Sequence, residues 1–173
     1  MGSTHKKLGK MADNNEKKSK VFGKLAKLIS VEAKKAAGNL SSPGLKAAIE
    51  KARKENMPSD NIERAIKKGG EPGVALQPVV FEAYGPGGVG VIITALTDNN
   101  NRTAQEMRHV LDLQGTALAG VGSVAWNFTK SPDGEWVANM KTELSAEDSE
   151  KLSLLIEATE DQDDVQDVYT SAE

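Results

Sequence analysis

The chain contains no cysteine, so disulfide frameworks and thiolate metal sites are excluded, and an intracellular setting is expected. Only two histidines occur, His5 and His109, and neither has a second ligand at metal-binding spacing. Aromatic residues make up 4% of the chain, which leaves few candidates for a stacking surface. No apolar run approaches the roughly 18 residues needed to span a bilayer. The N-terminus carries lysines without an apolar segment behind them, so it does not read as a secretory signal. These absences lead to the expectation of a cytoplasmic protein with no membrane partner, no metal and no cofactor.

What is present is charge, unevenly placed. The net charge of −3 conceals a split: residues 1–70 hold 17 Lys/Arg against 7 Asp/Glu, whereas residues 71–173 hold 5 against 18. A basic module joined to an acidic one points to nucleic acid on the basic side.

Residues 1–15 are polar, lysine-rich and without periodicity, and read as a flexible arm. A helix is expected from about Glu16, with Val21/Phe22, Leu25 and Leu28/Ile29 on its apolar stripe and Lys20, Lys24 and Lys27 together on another face. Gly38 or Asn39 ends it. Ser41-Ser42-Pro43 offers a cap and a first-turn proline to a second helix, which places Leu45, Ala48, Ile49 and Ala52 at helical spacing. Met57-Pro58 breaks the chain again, because proline cannot continue a helix interior. A third helix opens with Asp60 and Glu63 at capping-box spacing, carries Ile62, Ala65 and Ile66 inward, and stops at Gly69-Gly70. Residues 1–70 are thus expected to form a basic three-helix domain.

Residues 71–78 are linker by composition, and beyond them the period turns strand-like. A strand over 79–84 and a glycine-rich turn over 85–88 lead into a β-branched run, 89–97, of the fully buried kind. A helix over 102–114 follows a capping loop at 98–101. Next come a strand centred on 123–128 and a hairpin return over 135–144. The chain closes with a helix from 145 that turns Leu152, Leu155 and Ile156 inward, then a strand over 165–169. The expected fold class is α+β: the basic helical domain, then a ferredoxin-like β-α-β-β-α-β sandwich over 79–173.

Several long blocks occur in a recognisable order. They are Ala48-Ile49-Glu50-Lys51-Ala52-Arg53, Asn56-Met57-Pro58, and Asp60-Asn61-Ile62-Glu63-Arg64-Ala65-Ile66-Lys67-Lys68-Gly69. They continue with Tyr84-Gly85-Pro86-Gly87-Gly88-Val89, Leu96-Thr97-Asp98-Asn99, Asn101-Arg102-Thr103, Gly122-Ser123-Val124-Ala125 and Asp163-Asp164-Val165-Gln166. Together they resemble the YebC family, whose relatives include the mitochondrial translational activator of cytochrome c oxidase. Two departures stand out. Thr4-His5-Lys6-Lys7-Leu8 has Leu8 where the family carries Trp, and the short segment 129–134 stands where the family inserts a further α+β domain. The resemblance implies a compact two-domain member and two alternative roles, a DNA-binding transcriptional regulator or a ribosome-associated translation factor.

Competing motifs are weaker. Gly85-x-Gly87-x-x-Gly90 has the letters of a dinucleotide fingerprint, but it opens a strand rather than a helix and contains Pro86. His109 beside Glu106 and Asp112 lacks a partner for acid-base or metal chemistry. The acidic run Asp161, Asp163, Asp164 and Asp167 lacks the EF-hand pattern and reads as a solvated loop. Arg102 and Arg108 are open between phosphate contact and pairing with Asp98. Phe22 reads as core and both tryptophans fall in the hairpin region, which speaks against single-strand binding of the stacking type.

The expected function is therefore a non-enzymatic factor that binds RNA or the ribosome, with DNA as the alternative and a protein-interaction module third. No helix offers polar base-reading side chains, since the third presents mainly Lys and Arg. The expected nucleic-acid-binding residues are Lys7, Lys17, Lys18, Lys20, Lys24, Lys27, Lys34, Lys35, Lys46, Lys51, Arg53, Lys54, Arg64, Lys67, Lys68, Arg102 and Arg108.

Overall fold

The computed structural model describes residues 3–73 and 75–173, with side chains from residue 14 onward. The chain divides into two units, Met1–Leu76 and Gln77–Glu173.

The first unit is helical: α1 (Ser3–Ala36), α2 (Pro43–Lys54) and α3 (Ser59–Gly70). Helix α1 starts at Ser3 rather than near Glu16. No proline precedes Pro43, and a lone glycine inside a helix costs only about 1 kcal/mol relative to alanine, so nothing in the sequence forces a later start. The arm expected over 1–15 falls largely on side chains outside the described residues. After α1 the backbone turns left-handed at Ala37 (φ 47°) and Gly38 (φ 89°).

Pro43 occupies the first turn of α2 as expected, but Ser42 makes no side-chain capping bond. The capping box of α3 does not form either. Pro58 is the residue before the helix, so Asp60 lies inside the first turn, where the helix dipole still favours its charge.

Leu25, Ile29 and Ala33 of α1, Leu45, Ala48 and Ala52 of α2, and Met57, Ile62 and Ala65 close one core, with Phe22 packed against it. Ile29 and Leu45 are fully buried, each worth about 1.5–3 kcal/mol in apolar transfer. Helices α1 and α3 approach closely at Gly69, where an added Cβ would stand 2.4 Å from the Ser30 carbonyl oxygen. Ser30 Oγ reaches the Ala26 carbonyl at 2.9 Å and the Ala65 carbonyl at 3.0 Å, tying the two helices at the same crossing.

The second unit contains β1 (Gln77–Tyr84), β2 (Gly90–Thr97), α4 (Asn100–Leu113), β3 (Phe128–Lys130), β4 (Trp136–Ala138), α5 (Ala146–Glu160) and β5 (Val165–Thr170). The order β-α-β-β-α-β runs from β2 to β5, with β1 ahead of it. The strands form two sheets: a three-stranded antiparallel sheet β1-β2-β5 and the separate hairpin β3-β4. Central β2 is buried along both faces. On one face Val91, Ile93 and Ala95 pack with Phe81 and Ala83 of β1 against Met107 and Leu111 of α4 and Leu152 and Leu155 of α5. On the other, Ile92 packs with Val124, Phe128, Trp136 and Tyr169, so the hairpin covers the side that the helices leave open. Burial on both faces accounts for the nearly continuous apolar sequence of β2.

The strand expected over 123–128 is instead a short 3₁₀ turn, Ala125–Asn127, leading into the brief β3. The cause is Glu82, which points from β1 to the hairpin side. Its carboxylate accepts from the backbone N–H of Gly122 at 2.7 Å, Val124 at 3.0 Å and Ala125 at 2.6 Å. Donors held by a carboxylate are not available to a strand ladder.

Candidate nucleic-acid interface

The helical stripe of α2 is narrow, and its remaining surface presents Lys46, Lys51, Arg53 and Lys54 to solvent. Helix α3 does the same with Arg64, Lys67 and Lys68. On α1, Lys17, Lys18, Lys34 and Lys35 are exposed. Lys20, Lys24 and Lys27 are half-buried, each already engaged within the protein. The sequence places these three on the outer face, but the stripe that closes on α2 and α3 draws that part of α1 inward. Lys7 lies outside the described side chains.

Part of this basic clustering serves the helices themselves. Each of the three ends on basic residues, Lys34/Lys35, Lys51/Arg53/Lys54 and Lys67/Lys68, where cations favour the dipole by about 0.3–1 kcal/mol each. Lys35 also pairs with Glu32 at 3.0 Å. The Arg64 guanidinium is steadied by its own helix, donating through Nε to the Asp60 carbonyl at 3.3 Å and through Nη2 to Asn61 Oδ1. A shallow, open depression on α3 is lined by Asp60, Glu63, Arg64 and Lys67. Mixed signs at that end suit no specific anion pocket; the C-terminal half of α3 is the more strongly basic. Such a surface meets phosphates spread along a backbone better than one buried anion.

In the second unit the two arginines separate. Arg102 Nη2 bonds Asp98 Oδ1 at 2.9 Å and Asp164 Oδ2 at 2.9 Å, and its Nε lies 3.7 Å from Glu106. The hydrogen bond to Asp164, then that to Asp98, holds the guanidinium above its ordinary pKa. Arg102 thus makes the ion pair with Asp98 that is one of its two expected alternatives. Asp164 is buried, and its Oδ2 also accepts from the Thr103 hydroxyl at 2.8 Å, which in turn meets the Thr97 hydroxyl at 2.7 Å. The cluster staples the end of β2, the start of α4 and the turn into β5. Asp164 therefore departs from the solvated loop expected for the acidic run. Arg108 and His109 are exposed on α4. No group of three or more metal-ligating side chains gathers among the described residues, and none of the described helices is long and apolar enough to cross a membrane.

Sequence reasoning missed Glu82. Burial alone raises the pKa of its carboxyl, but the three backbone donors outweigh it and hold the group below the ordinary 4.5. The available signal is a lone carboxylate inside the apolar run of β1, opposite Ile92 in the register.

Similarity to known proteins agrees with this layout. The family model for the TACO1/YebC protein N-terminal domain matches residues 4–71, and that for the TACO1/YebC second and third domain matches residues 76–132. A probable transcriptional regulatory protein of Pseudothermotoga lettingae is 36% identical over 231 residues, spanning 98% of this chain and 90% of its own. This chain belongs to the TACO1/YebC family. A Thermotoga petrophila family member, also named a probable transcriptional regulatory protein, is 54% identical over 129 residues, 73% of this chain and 49% of the relative. The chain thus spans about half the length of the Thermotoga relatives it matches. The crystal structure of Aq1575 from Aquifex aeolicus, a conserved hypothetical protein, superposes with a TM-score of 0.79 at 30% identity and covers 90% of both chains. The second family match ends at residue 132, in the tip of the β3-β4 hairpin.

Proposed function

We propose that this TACO1/YebC chain is a non-enzymatic regulatory factor of the cytoplasm that grips folded RNA, in a ribosomal setting, through the phosphate backbone. The carrying observation is that Lys46, Lys51, Arg53, Lys54, Arg64, Lys67 and Lys68 are all exposed on the two short helices α2 and α3. Six to ten phosphate contacts of this kind produce steeply salt-dependent binding, with a log-log slope of about −0.9 per contact on duplex DNA and about −0.7 on single strands. Structured RNA is recognised largely by shape and backbone, which calls for Lys and Arg rather than base-reading amides.

A second reading, a DNA-binding transcriptional regulator, is favoured by the names of the relatives. It has less support from side chains, because the exposed positions of α3 offer charge and no Asn or Gln in a base-reading row. Gel shifts at graded salt, run beside ribosome co-sedimentation, separate the two. The RNA reading expects ribosome association and weak duplex-DNA binding that fades as salt rises. Sequence-selective DNA binding that survives moderate salt, without ribosome association, would make it untenable.

A further inference from the structure

We propose that the Tyr84–Trp126 corner of the second unit is a stacking site for unpaired RNA bases. Two sequence blocks that lie far apart meet there. Tyr84 Oη donates to the Ser123 carbonyl at 2.9 Å, and Trp126 Nε1 donates to the same carbonyl at 2.8 Å. The polar atom of each ring is thereby satisfied inside the protein, and ring surface is what remains for a partner. Trp126 is 65% exposed and Tyr84 47%.

The platform is held from behind. Glu82 binds the backbone of Gly122, Val124 and Ala125, the residues on either side of Ser123, so the carbonyl that orients both rings is itself fixed. Preorganisation of this kind removes the ordering cost that a mobile surface indole incurs on binding. Val121 projects fully exposed between two glycines, and the backbone of exposed Met140 is bonded at both N–H and C=O to the side chain of Asn127, next to Trp126.

Local charge selects the occupant. Of the five Lys/Arg beyond residue 70, Arg102 and Lys151 are tied into ion pairs, and Arg108 is on α4. The other two, Lys130 and Lys141, fall within residues 126–141, where they balance Asp133 and Glu135. In a unit whose acids outnumber its bases 17 to 5, this segment carries two charges of each sign, and it holds both tryptophans. The segment itself adds no net negative charge against a phosphodiester strand, and every base has a π-face that a fixed aromatic ring accepts. The inference rests on the phosphate-backbone reading of the first unit and adds base contact to it.

The test uses the full chain with Trp136→Phe, which leaves Trp126 as its lone tryptophan. A short unstructured single-stranded RNA is expected to quench its emission saturably, while an RNA duplex of equal length binds in a gel shift without quenching. Trp126→Ala is expected to weaken single-strand binding about tenfold to a hundredfold, leave duplex binding unchanged and keep the thermal midpoint, with Trp126→Phe recovering most of the loss. Unchanged single-strand affinity in Trp126→Ala overturns the proposal. So does quenching by a proline-rich peptide in place of RNA, or emission that changes with protein concentration alone, which marks self-association. Lys67→Glu with Lys68→Glu separates the two readings. It is expected to weaken single-strand and duplex binding alike, and if it weakens neither, the phosphate-backbone reading fails while Trp126→Ala still decides the platform.

Discussion

The two units reach stability by opposite routes. In the first, three helices each give a narrow stripe to one core, and many of its members are alanines: Ala33, Ala48, Ala52 and Ala65. Small residues let helices approach closely and leave the outer surface to long basic side chains. In the second, a single strand, β2, is covered on both faces, by α4 and α5 on one side and by the hairpin region on the other. Its interior also takes in charge, at Glu82 and Asp164, each satisfied by specific donors. The helical unit thus keeps most of its charge on the outside, whereas the β unit uses part of its charge to build itself.

The largest expected effects test the β unit's dependence on its central strand. Ile93→Ala should destabilise that unit by about 2–5 kcal/mol, since Ile93 is fully buried and its removal leaves a cavity between sheet and helices. Amide hydrogen exchange followed separately in each unit checks it; equal loosening of α2 and α3 would break the contrast between the units.

Glu82→Gln comes next, at about 1–3 kcal/mol, because a neutral amide accepts more weakly from three backbone N–H groups, one of them buried. Its signature is pH dependence. The folded pKa is lowered below 4.5, so the stabilisation is fully present above about pH 4.5 and is lost as pH falls through the folded value. Urea midpoints of wild type and Glu82→Gln should therefore converge in acid; a gap that stays constant with pH would mean that the charge is irrelevant.

In the helical unit one substitution should have opposite signs at two sites. Gly69→Ala drives a Cβ against the Ser30 carbonyl and should destabilise by about 1–3 kcal/mol. Gly23→Ala meets nothing within 4 Å inside α1 and should stabilise by up to about 1 kcal/mol. Thermal midpoints measure both, and same-sign shifts would contradict the close α1–α3 crossing.

The last contrast belongs to charge. Lys67→Glu with Lys68→Glu should destabilise folding by about 1–2 kcal/mol through the helix dipole, and flatten the salt slope of nucleic-acid binding by nearly 2. Arg108→Glu on α4 should leave that slope unchanged. An equal effect from Arg108→Glu, measured by gel shift over a salt series, would place binding charge on the acidic unit as well.

Much of this organisation was legible in the residues. Pro43 and Met57-Pro58 mark where α2 begins and where it gives way to α3, because proline supplies no N–H and restricts its neighbour. The β-branched run of β2 announces burial on both faces. Capping was readable in part: Asn99 of the expected loop caps α4, but the helix starts did not place Ser42 and Asp60 to bond. The loop at 123–127 looked like a strand by composition, because nothing local reveals that Glu82, on another element, takes its backbone donors.

By itself, then, the sequence determined the charge split, the helical unit's inward stripes and the buried strand, all of which follow from local period and composition. Only the tertiary structure decided which charges are available. It drew Lys20, Lys24 and Lys27 partly inward, committed Arg102 to Asp98 and Asp164, and buried Glu82. It also joined Tyr84 to Trp126 through one carbonyl. The physical reason is that a charge or a ring acquires its role from the donors and acceptors brought to it. Those partners come from elements distant in the chain, whose meeting no local pattern records.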